Sequence, residues 1–310
     1  MADTLPTVSI GLAVYNGIDY IREAIDSILA QTYTDFELII SDNASTDGTS
    51  DLCRDYAARD PRIRYSRNAE NIGGANNENR TFALSRGRYF RWAAHDDMIA
   101  PTFLAKTVAV LDATPSVVLC STMITEIDAD GAALRTVSQT RGDASQAPAR
   151  FADLMRKDHH CEATYGLIRA DALRRSGLQQ NYTDSDRTLL CELSLYGRFH
   201  EIPEALFFKR YHAKNMYVNM RARMVWFDPS LRGKAVVPYW MQFFDYLRVL
   251  RRAPISTGDK ARCYGAMLNW LWAQRRGLAG DLLLALRSRL APQADPYKWR
   301  SRGEDVYNWE

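Results

Sequence analysis

The apolar positions of residues 1–125 follow two spacings in turn. Near-continuous apolar runs such as Val8–Val14 are typical of strands that are covered on both faces of a sheet. Between these runs, apolar residues recur at helical spacing, as at Ile21, Ile25 and Ile28. Strands that alternate with helices predict βαβ units and a mostly parallel sheet.

The pattern divides the chain into an alternating part, a polar connection and a helical remainder. The predicted strands are residues 8–14, 36–41, 63–65, 89–94 and 117–120. The predicted helices lie near 21–29, at 49–59, at 76–85 and from Pro101, which suits the first turn of a helix. Residues 126–150 predict a hairpin or a loop, a further helix is expected at 186–196, and the chain from 216 onward is predicted to be helical.

Composition narrows the class of protein. Of the 310 residues, 46% are hydrophobic and 25% charged, so a sizeable core can form. The formal net charge of +3 is too small to indicate nucleic-acid binding. The five cysteines are scattered and form no C-x-x-C pair, which argues against a disulfide framework or structural zinc and favours a reduced, cytoplasmic compartment.

The sequence shows neither a signal peptide nor a membrane span. Its first residues lack a basic region followed by an apolar core and a cleavage site, and Val8–Tyr15 is expected to be a short buried strand. No stretch of about 18 apolar residues occurs. We therefore expect a protein that does not cross a membrane, although it could lie on the inner face of one.

Acidic residues cluster where predicted strands end and where a predicted helix begins. Asp42 ends the second strand, Asp96 and Asp97 follow the aromatic fourth strand, and Asp184 and Asp186 stand at a helix start. In mostly parallel sheets, ligands bind outside the carboxyl ends of the strands. These acids are therefore the first candidates for chemistry.

Each cluster has a chemical and a structural interpretation. Asp42 can accept hydrogen bonds from a nucleobase or a ribose, or it can shape a turn, and we expect Asp47 to shape that turn and cap the next helix. Asp96 and Asp97 repel each other unless a cation lies beside them, and a divalent ion with oxygen ligands would also bridge a diphosphate. Alternatively, Asp97 caps the following helix. Asp186 is either a general base or a helix cap.

Together, the order and spacing of these motifs resemble family 2 glycosyltransferases, which have the GT-A fold. The resemblance covers roughly residues 6–212. Its most specific parts are Val8-Ser9-Ile10, Tyr15-Asn16-Gly17, residues 27–33, residues 36–49, Asn71-Ile72-Gly73, Asp96-Asp97 with Pro101, Asp186 with Leu189, and His212. The resemblance implies a Rossmann-like α/β sheet flanked by helices, here with a helical C-terminal extension.

The resemblance also implies which residues bind the donor. Asp42 corresponds to the carboxylate that holds the base of the nucleotide, and Ala13, Tyr15 and Asn16 line the same pocket. Asn71 belongs to a further donor-binding motif. These residues are expectations from the family pattern, carried over position by position.

The metal and the catalytic base are implied in the same way. Asp97 corresponds to the metal ligand of the D-x-D element, with Asp96 beside it facing the ribose or the sugar. His212 corresponds to a histidine that reaches the metal or the diphosphate, although a merely packed histidine is an alternative. Asp186 corresponds to the general base.

The sequence departs from the common family pattern at three places. The D-x-D element reads His95-Asp96-Asp97, so only two adjacent residues are acids. Glu78 stands where an arginine is common, and Arg80 could supply the missing positive charge at the donor. Ser185 stands where an acid often precedes Asp186, which leaves Asp184 as a rival for the base. These departures leave the exact roles of the residues open.

The expected protein is an inverting glycosyltransferase that uses Mn²⁺ or Mg²⁺. It would move a sugar from a nucleoside-diphosphate sugar, with UDP the family's commonest nucleotide, to a hydroxyl of a glycan, lipid-linked or small-molecule acceptor. Residues 1–215 would form the GT-A domain, with a nucleotide-sugar half at 1–125 and an acceptor-facing half at 126–215. Residues 216–310 would form the helical extension.

Two other functions and two uses of the extension stay open. A catalytically silent nucleotide-sugar-binding or scaffold protein would share this fold, whereas a nucleotidyltransferase usually has a Gly-rich, basic loop that is missing after Val14. In the extension, aromatic and leucine residues are flanked by arginines at 236–252 and 264–290. Such helices suit packing on the core, a homodimer contact or peripheral contact with a membrane surface.

Overall fold

The computed structural model describes residues 5–156, 158, 160–213, 220–232 and 234–290. Helices flank one nine-stranded sheet in this part of the chain. The strands are β1 (Val8–Val14), β2 (Phe36–Asp42), β3 (Ile63–Arg67), β4 (Tyr89–Ala93), β5 (Met98–Ile99), β6 (Val117–Ile127), β7 (Ala133–Val137), β8 (Leu167–Arg169) and β9 (Arg198–Arg210). The helices are α1 (Ile21–Leu29), α2 (Thr49–Arg59), α3 (Gly74–Ala83), α4 (Phe103–Ala113), α5 (Ala147–Leu154), α6 (Ala170–Arg175), α7 (Ser185–Tyr196), α8 (Met220–Phe227), α9 (Pro238–Arg252), α10 (Thr257–Ala273) and α11 (Arg275–Leu290).

The sheet is mostly parallel, which confirms the predicted fold class. Its order is β3-β2-β1-β4-β8-β6-β9-β5, and β7 pairs with β6. The strands β1 to β4 run in one direction, and β6 and β9 share it because β8 is antiparallel to both β4 and β6. The chain order reverses at β1, which lies between β2 and β4, and such a point opens a crevice outside the carboxyl ends of the strands.

Strands β1 and β2 form the buried centre of the sheet. Every residue of β2 is buried, and in β1 only Ala13 is half-buried. Val14 pairs with Asp42 in the parallel register, so both strands end at the same edge. The burial of these apolar runs therefore fixes where the polar residues that follow them lie.

Helix α3 begins earlier than the sequence indicates. The predicted helix starts at Asn76, whereas α3 starts at Gly74, directly after Gly73. Gly73 has a φ of 88°, and a Cβ atom there would lie 2.3 Å from the carbonyl oxygen of Phe227. Two consecutive glycines indicate a loop in the sequence, but here the second of them, Gly74, is the first residue of the helix.

The second half of the sheet contains strands that the pattern does not predict. β5 and β8 are too short to show a period, and β9 was not recognised as a strand. The predicted hairpin is confirmed by the antiparallel pairing of β6 with β7. Pro101 lies in the turn before α4, which begins at Phe103, so its expected place in the first helical turn is wrong.

The described part of the C-terminal region is helical, as predicted. Tyr246 of α9 contacts Phe151 of α5 edge to face, with ring centroids 5.8 Å apart, and Trp270 of α10 contacts Tyr246 at 5.5 Å. These helices therefore share an apolar core with α5 and α7. None of the helices that the structure describes has the length and apolar content needed to cross a bilayer.

Candidate active site

The candidate site lies at the carboxyl edge of β1, β2 and β4. Asp42 is the last residue of β2, and Asp96 and Asp97 follow the end of β4. β1 separates these two strands, so they lie two strand spacings, or about 10 Å, apart. The topology therefore gathers these predicted residues along one edge of the sheet.

Asp42 is fully buried and its carboxylate is bonded within the protein. Its Oδ1 accepts a hydrogen bond from the backbone N–H of Ser45 (2.9 Å), and its Oδ2 accepts from the hydroxyls of Ser50 and Tyr65, the latter at 2.8 Å. Arg67 Nε lies 3.6 Å from Oδ2. Burial alone would raise the pKa of Asp42, but these hydrogen bonds lower it, so the carboxylate stays ionised. Asp42 organises the turn after β2, and both of its oxygens have protein partners.

The residues after β1 are tied to the same turn. Asn16, with a φ of 53°, donates its backbone N–H to Ser45 Oγ (2.9 Å) and accepts from the backbone N–H of Thr46 at Oδ1 (2.8 Å). Ala13 is half-buried. The side chain of Tyr15 is 43% exposed, so its ring is open to an incoming planar group.

Asp47 has the structural role that the sequence indicates. Its Oδ1 accepts hydrogen bonds from the backbone N–H (3.1 Å) and the hydroxyl of Thr49, the first residue of α2. Its Oδ2 accepts from the backbone N–H of Ile18 (3.1 Å). This confirms that Asp47 shapes the turn between β2 and α2.

A network of asparagine side chains supports this edge. Asn43 donates Nδ2 to Asn71 Oδ1 (2.8 Å) and accepts from Asn68 Nδ2 at Oδ1 (3.0 Å). Asn77 Oδ1 accepts from Asn68 Nδ2 (2.9 Å) and from Ser41 Oγ (2.7 Å). Asn71 thus lies in this network at the edge of the sheet, while the buried Asn43, Asn68 and Asn77 were not predicted. The signal that could have found them is the density of asparagines at 68–79.

Asp96 and His212 form a buried pair across 116 residues of sequence. His212 Nε2 lies 2.9 Å from Asp96 Oδ2, and the imidazole packs on the ring of Tyr20, with centroids 4.8 Å apart. Burial would raise the pKa of Asp96, but the hydrogen bond to His212 and the charges of His95 and His212 lower it. Because an ionised carboxylate can only accept, Nε2 is the donor.

Asp97 presents one oxygen to the protein and keeps the other available. Its Oδ1 accepts from the backbone N–H of Arg210 (2.9 Å), and no described residue hydrogen-bonds or ion-pairs with its Oδ2. Burial and the negative charge of Asp96 raise the pKa of Asp97. The alternative in which Asp97 caps α4 is wrong, since Thr102 precedes α4 without a side-chain cap.

This geometry fits a divalent cation that the protein holds with few ligands. A cation beside Asp97 would relieve the repulsion from Asp96. Among the residues described, no group of three or more His, Cys, Asp and Glu side chains is arranged as a metal site. An ion here would therefore take its remaining ligands from phosphate oxygens and water, as Mg²⁺ commonly does.

Arg210, at the end of β9, fixes this arrangement and was not predicted. Its guanidinium is 1% exposed, donates to Glu23 Oε2 (2.6 Å) and to the backbone oxygen of Asp96 (3.0 Å), and lies 4.7 Å from the ring centroid of Tyr20. Its backbone N–H holds Asp97. Arg210 therefore fixes the positions of both acids that follow β4. The contact joins residues more than 110 positions apart, so the sequence around either acid does not predict it.

Four carboxyl groups from separate segments converge on Tyr165. Burial raises the pKa of the Tyr165 phenol well above its ordinary value, and the charges of Glu78, Asp97, Asp96 and Asp186 raise it further. These acids belong to α3, the turn after β4 and the first turn of α7. Asp186 therefore lies within electrostatic range of the same phenol as Asp96 and Asp97. Tyr165 and Glu78 complete this group, and sequence reasoning gave neither of them a role there.

The two rivals for the base face different surroundings. Asp186 is half-buried in the first turn of α7, where its Oδ1 accepts from the backbone N–H of Arg187 (2.7 Å). Asp184 precedes the helix with a φ of 68°. Burial and then other groups raise the pKa values of Tyr182 and Tyr246, and Asp184 adds to both. Asp184 thus acts electrostatically on two tyrosines next to α9, Asp186 acts on Tyr165, and both acids act on Cys161.

Two side chains of α3 lack partners near this cleft. Desolvation raises the pKa of Glu78 to about 8, Asp186 adds to this, and within the described ranges nothing hydrogen-bonds to the Glu78 carboxyl. Arg80 has a buried Nε without a hydrogen-bond partner among the described residues. Glu78 is therefore largely a neutral acid near neutral pH, and Arg80 is a cation available to an anionic ligand.

Comparison with known proteins gives a family and a fold. Residues 9–177, more than half of the chain, match the family model described as Glycosyl transferase family 2. An uncharacterised glycosyltransferase of Rickettsia typhi is 38% identical over 107 residues, which are 34% of this chain and 32% of that relative. The match thus spans about a third of the relative's own length.

Solved structures resemble nearly the whole chain. TarS 1–349 of S. aureus has a TM-score of 0.66 at 14% identity, over 92% of this chain and 82% of that one, and it has also been solved with UDP and with UDP-GlcNAc. The mannosyltransferase PcManGT from Pyrobaculum calidifontis, in complex with GDP-Man and Mn²⁺, has a TM-score of 0.52 at 19% identity, over 96% and 84% of the two chains. These likenesses establish the GT-A fold, and with the family match they show that this chain belongs to glycosyl transferase family 2.

Proposed function

We propose that this protein transfers a sugar from a nucleoside-diphosphate sugar to an acceptor hydroxyl with inversion at the anomeric carbon. The observation that carries the proposal is the arrangement of the two acids after β4, where His212 hydrogen-bonds Asp96 and Asp97 keeps one carboxylate oxygen open. The site lies at the carboxyl edge of the sheet, where ligands of such folds bind. Membership of a glycosyltransferase family supports the same reaction class.

The donor's nucleotide would lie over the ends of β1 and β2. The exposed ring of Tyr15 suits stacking on a base, with Ala13 and Asn16 beside it. Asp42 would serve this pocket by fixing the turn after β2, and a direct contact of Asp42 with the base would require Ser50 or Tyr65 to release its hydrogen bond. We propose UDP as the nucleotide, since TarS is known with UDP and UDP-GlcNAc.

The diphosphate would lie between α3 and the acids that follow β4. The unpartnered Arg80 would face its negative charge, with the Asn71 turn beside it. Asp97, through its open Oδ2, would hold Mn²⁺ or Mg²⁺, and His212 would orient Asp96 or join the ligands. The GDP-Man and Mn²⁺ complex of PcManGT supports a divalent ion at such a site. When bound, the ion stabilises charge on the departing diphosphate.

Asp186 would act as the base in a single displacement. Its carboxylate takes the proton of the acceptor hydroxyl while that oxygen forms a bond to the anomeric carbon. The bond from the anomeric carbon to the diphosphate oxygen breaks on the opposite face, and its electrons leave with the nucleoside diphosphate. Because the attack comes from the face opposite the leaving group, an α-linked donor yields a β-linked product.

The helical extension supports a membrane-surface location for the acceptor. The side chains that α10 and α11 expose include large apolar groups, namely Tyr264, Leu268, Trp272, Leu282, Leu286 and Leu290. The exposed Arg275, Arg276 and Arg289 all lie on α11. Exposed apolar surface with arginines suits an anionic lipid surface, and hence a lipid-linked acceptor.

The reaction class is tested by nucleotide binding and donor turnover together. UDP, dTDP and GDP are screened by thermal shift with and without Mn²⁺, because a ligand of the native state raises Tm. UDP-glucose, UDP-galactose and UDP-GlcNAc are then assayed for release of UDP, and NMR of any transferred product gives its anomeric configuration. We expect UDP with Mn²⁺ to raise Tm most and at least one donor to be turned over. Binding without turnover would indicate a catalytically silent nucleotide-sugar-binding protein, and no binding would overturn the proposal.

A further inference from the structure

A polar cavity of about 380 Å³ lies beside the proposed catalytic cleft. Its walls are α3, residues 179–182 and α9, and we call it the amide pocket after Asn76 and residues 179–181, which line it. Its volume lies within the range of small-molecule sites. None of the donor or metal interactions proposed above uses it.

The amide pocket offers hydrogen-bonding atoms that the protein leaves unused. Gln179 is 7% exposed and accepts from Ser185 Oγ at Oε1 (3.1 Å), but its Nε2 donates to no described acceptor. Asn76 and Asn181 donate through Nδ2, and Gln180 donates through Nε2, while none of their side-chain oxygens has a donor among the described residues. Gln179 is the buried member of this set, and a buried amide normally finds partners. The half-buried Gln180 and Asn181 and the exposed Asn76 add free acceptors around it, which suits a ligand with several hydroxyl groups.

The remaining walls of the amide pocket favour a neutral ring. Arg248 Nη1 donates to Asp245 Oδ1 (2.6 Å), and the Tyr182 hydroxyl donates to Asp245 Oδ2 (2.9 Å). The one acid and the one base of the pocket thus offset each other. Phe244 of α9 is 50% exposed at the same wall and can cover the apolar face of a pyranose. Hydroxyl-binding amides beside an open aromatic ring match a saccharide better than an anion or a hydrocarbon.

The amide pocket is coupled to the segment that carries the proposed base. The side chain of Asn79 in α3 holds the backbone of Gln179 through two hydrogen bonds. Asn79 Nδ2 donates to the backbone carbonyl oxygen of Gln179 (2.7 Å), and the backbone N–H of Gln179 donates to Asn79 Oδ1 (3.1 Å). Gln179 in turn accepts from Ser185, the neighbour of Asp186. A ligand in the pocket therefore lies beside the start of α7, the helix whose first turn carries Asp186.

We propose that the amide pocket binds a neutral sugar residue of the acceptor. This proposal rests on the proposed function for its place in the reaction, since it assigns the acceptor to a saccharide class. The residues proposed for the nucleotide do not line the amide pocket, so both ligands can be bound at once.

Saturation-transfer NMR tests the proposal with defined probes. The methyl glycosides of β-glucose, β-galactose, α-mannose and N-acetyl-β-glucosamine are each added to the full-length protein, with sorbitol as a polyol control. We expect saturation transfer to at least one glycoside and none to sorbitol. The signal should persist with excess UDP, because the amide pocket is separate from the nucleotide site.

Two variants locate the binding. Phe244→Ala removes the aromatic wall and should weaken the glycoside's Kd about tenfold, and Phe244→Tyr should restore it. Trp272→Ala is the matched control, because Trp272 is 71% exposed on α10 and does not line the pocket. Thermal melts check that each variant is folded.

The outcomes separate this proposal from the reaction class. No saturation transfer to any glycoside, or a signal that Phe244→Ala leaves unchanged, overturns the amide pocket as a sugar site even when UDP binds and is released from donors. Glycoside binding that depends on Phe244 in a protein that neither binds nor turns over nucleotides supports the pocket and overturns the proposed function.

Discussion

The pKa values of the adjacent Asp96 and Asp97 are shifted in opposite directions because the two carboxyl groups have different partners. Asp96 accepts a hydrogen bond from His212, which favours its charged form. Burial and the negative charge of Asp96 disfavour the charged form of Asp97. Asp97 Oδ1 is nevertheless fixed by the backbone of Arg210. The pair is thus arranged with one acid satisfied by the protein and one that gains from a cation.

At the residue scale, Asp186→Asn should abolish transfer without removing donor binding. The amide cannot take the acceptor proton, so we expect kcat to fall by about 10²–10⁴-fold. The Kd for UDP with Mn²⁺ should stay within a few-fold of the wild-type value, as measured by calorimetry. Asp184→Asn is the matched control and should retain transfer. If Asp184→Asn were inactive and Asp186→Asn active, the assignment of the base would be reversed.

Glu78 predicts a pH-dependent stability at the residue scale. Burial raises its folded pKa to about 8, from an ordinary value of 4.5, so the folded chain binds more protons than the unfolded chain between these values. Stability is therefore lost as pH rises from about 4.5 to 8. Glu78→Gln should be more stable than wild type by about 1–2 kcal/mol at pH 8 and equal to it near pH 4.5.

Urea unfolding across this pH range measures the effect of Glu78. The exposed Glu70 lies near the same helix, and Glu70→Gln is the matched control that should change nothing with pH. A stability difference between Glu78→Gln and wild type that does not grow with pH would contradict the raised pKa.

At the scale of elements, the turn before α3 holds the donor side of the site. Gly73 combines a positive φ with a close approach to the carbonyl oxygen of Phe227, and its N–H is bonded to Asn71 Oδ1 (2.9 Å). The turn therefore joins α8 and the asparagine network to α3. Its shape depends on a residue without a side chain.

Gly73→Ala should strain this turn and weaken donor binding. We expect a loss of about 1–3 kcal/mol in urea unfolding and a weaker response to UDP in thermal shift. Gly265→Ala is the control, because a Cβ there meets nothing within 4 Å. This helical control should be more stable than wild type by about 0.5–1 kcal/mol. Equal stability of Gly73→Ala and wild type would show that the turn relaxes freely.

At the scale of the whole molecule, the C-terminal helices both complete the core and expose apolar surface. Tyr246 packs on Phe151 and Trp270 packs on Tyr246, so the expectation of core packing is met for these residues. Leu282 and Leu286 of α11 remain 56% and 54% exposed. The division of the chain at residue 215 stays a prediction, and the described helices after it share a core with α5 and α7.

The exposed leucines predict binding to anionic liposomes. We expect the protein to float with phosphatidylserine vesicles at low salt and less at high salt, because arginines contribute to the attraction. The double variant Leu282→Glu with Leu286→Glu should not float and should stay in the bottom fraction of the gradient. Leu134→Glu is the matched control, since Leu134 is 57% exposed on β7, outside these helices. Flotation of neither wild type nor control would argue against a membrane-surface location.

The local pattern of apolar residues was enough to predict the strands that form the centre of the sheet. Val8–Val14 and Phe36–Asp42 are buried along almost their whole length, so their apolar runs predict both the strand and the edge at which it ends. The positions of Asp42, Asp96, Asp97 and the family follow from such runs and the motifs beside them. β5 and β8 escaped prediction because so few residues show no period.

The sequence by itself determined the α/β class, the family and the acids worth testing, because those depend on neighbouring residues and on motif order. Only the tertiary structure paired Asp96 with His212 and hydrogen-bonded Asp97 to the backbone N–H of Arg210. These contacts join segments that lie far apart in the chain and meet only when the sheet forms. Burial of Asp42 and the unused atoms of the amide pocket were decided at the same level, since both depend on which side chains fill the space around them.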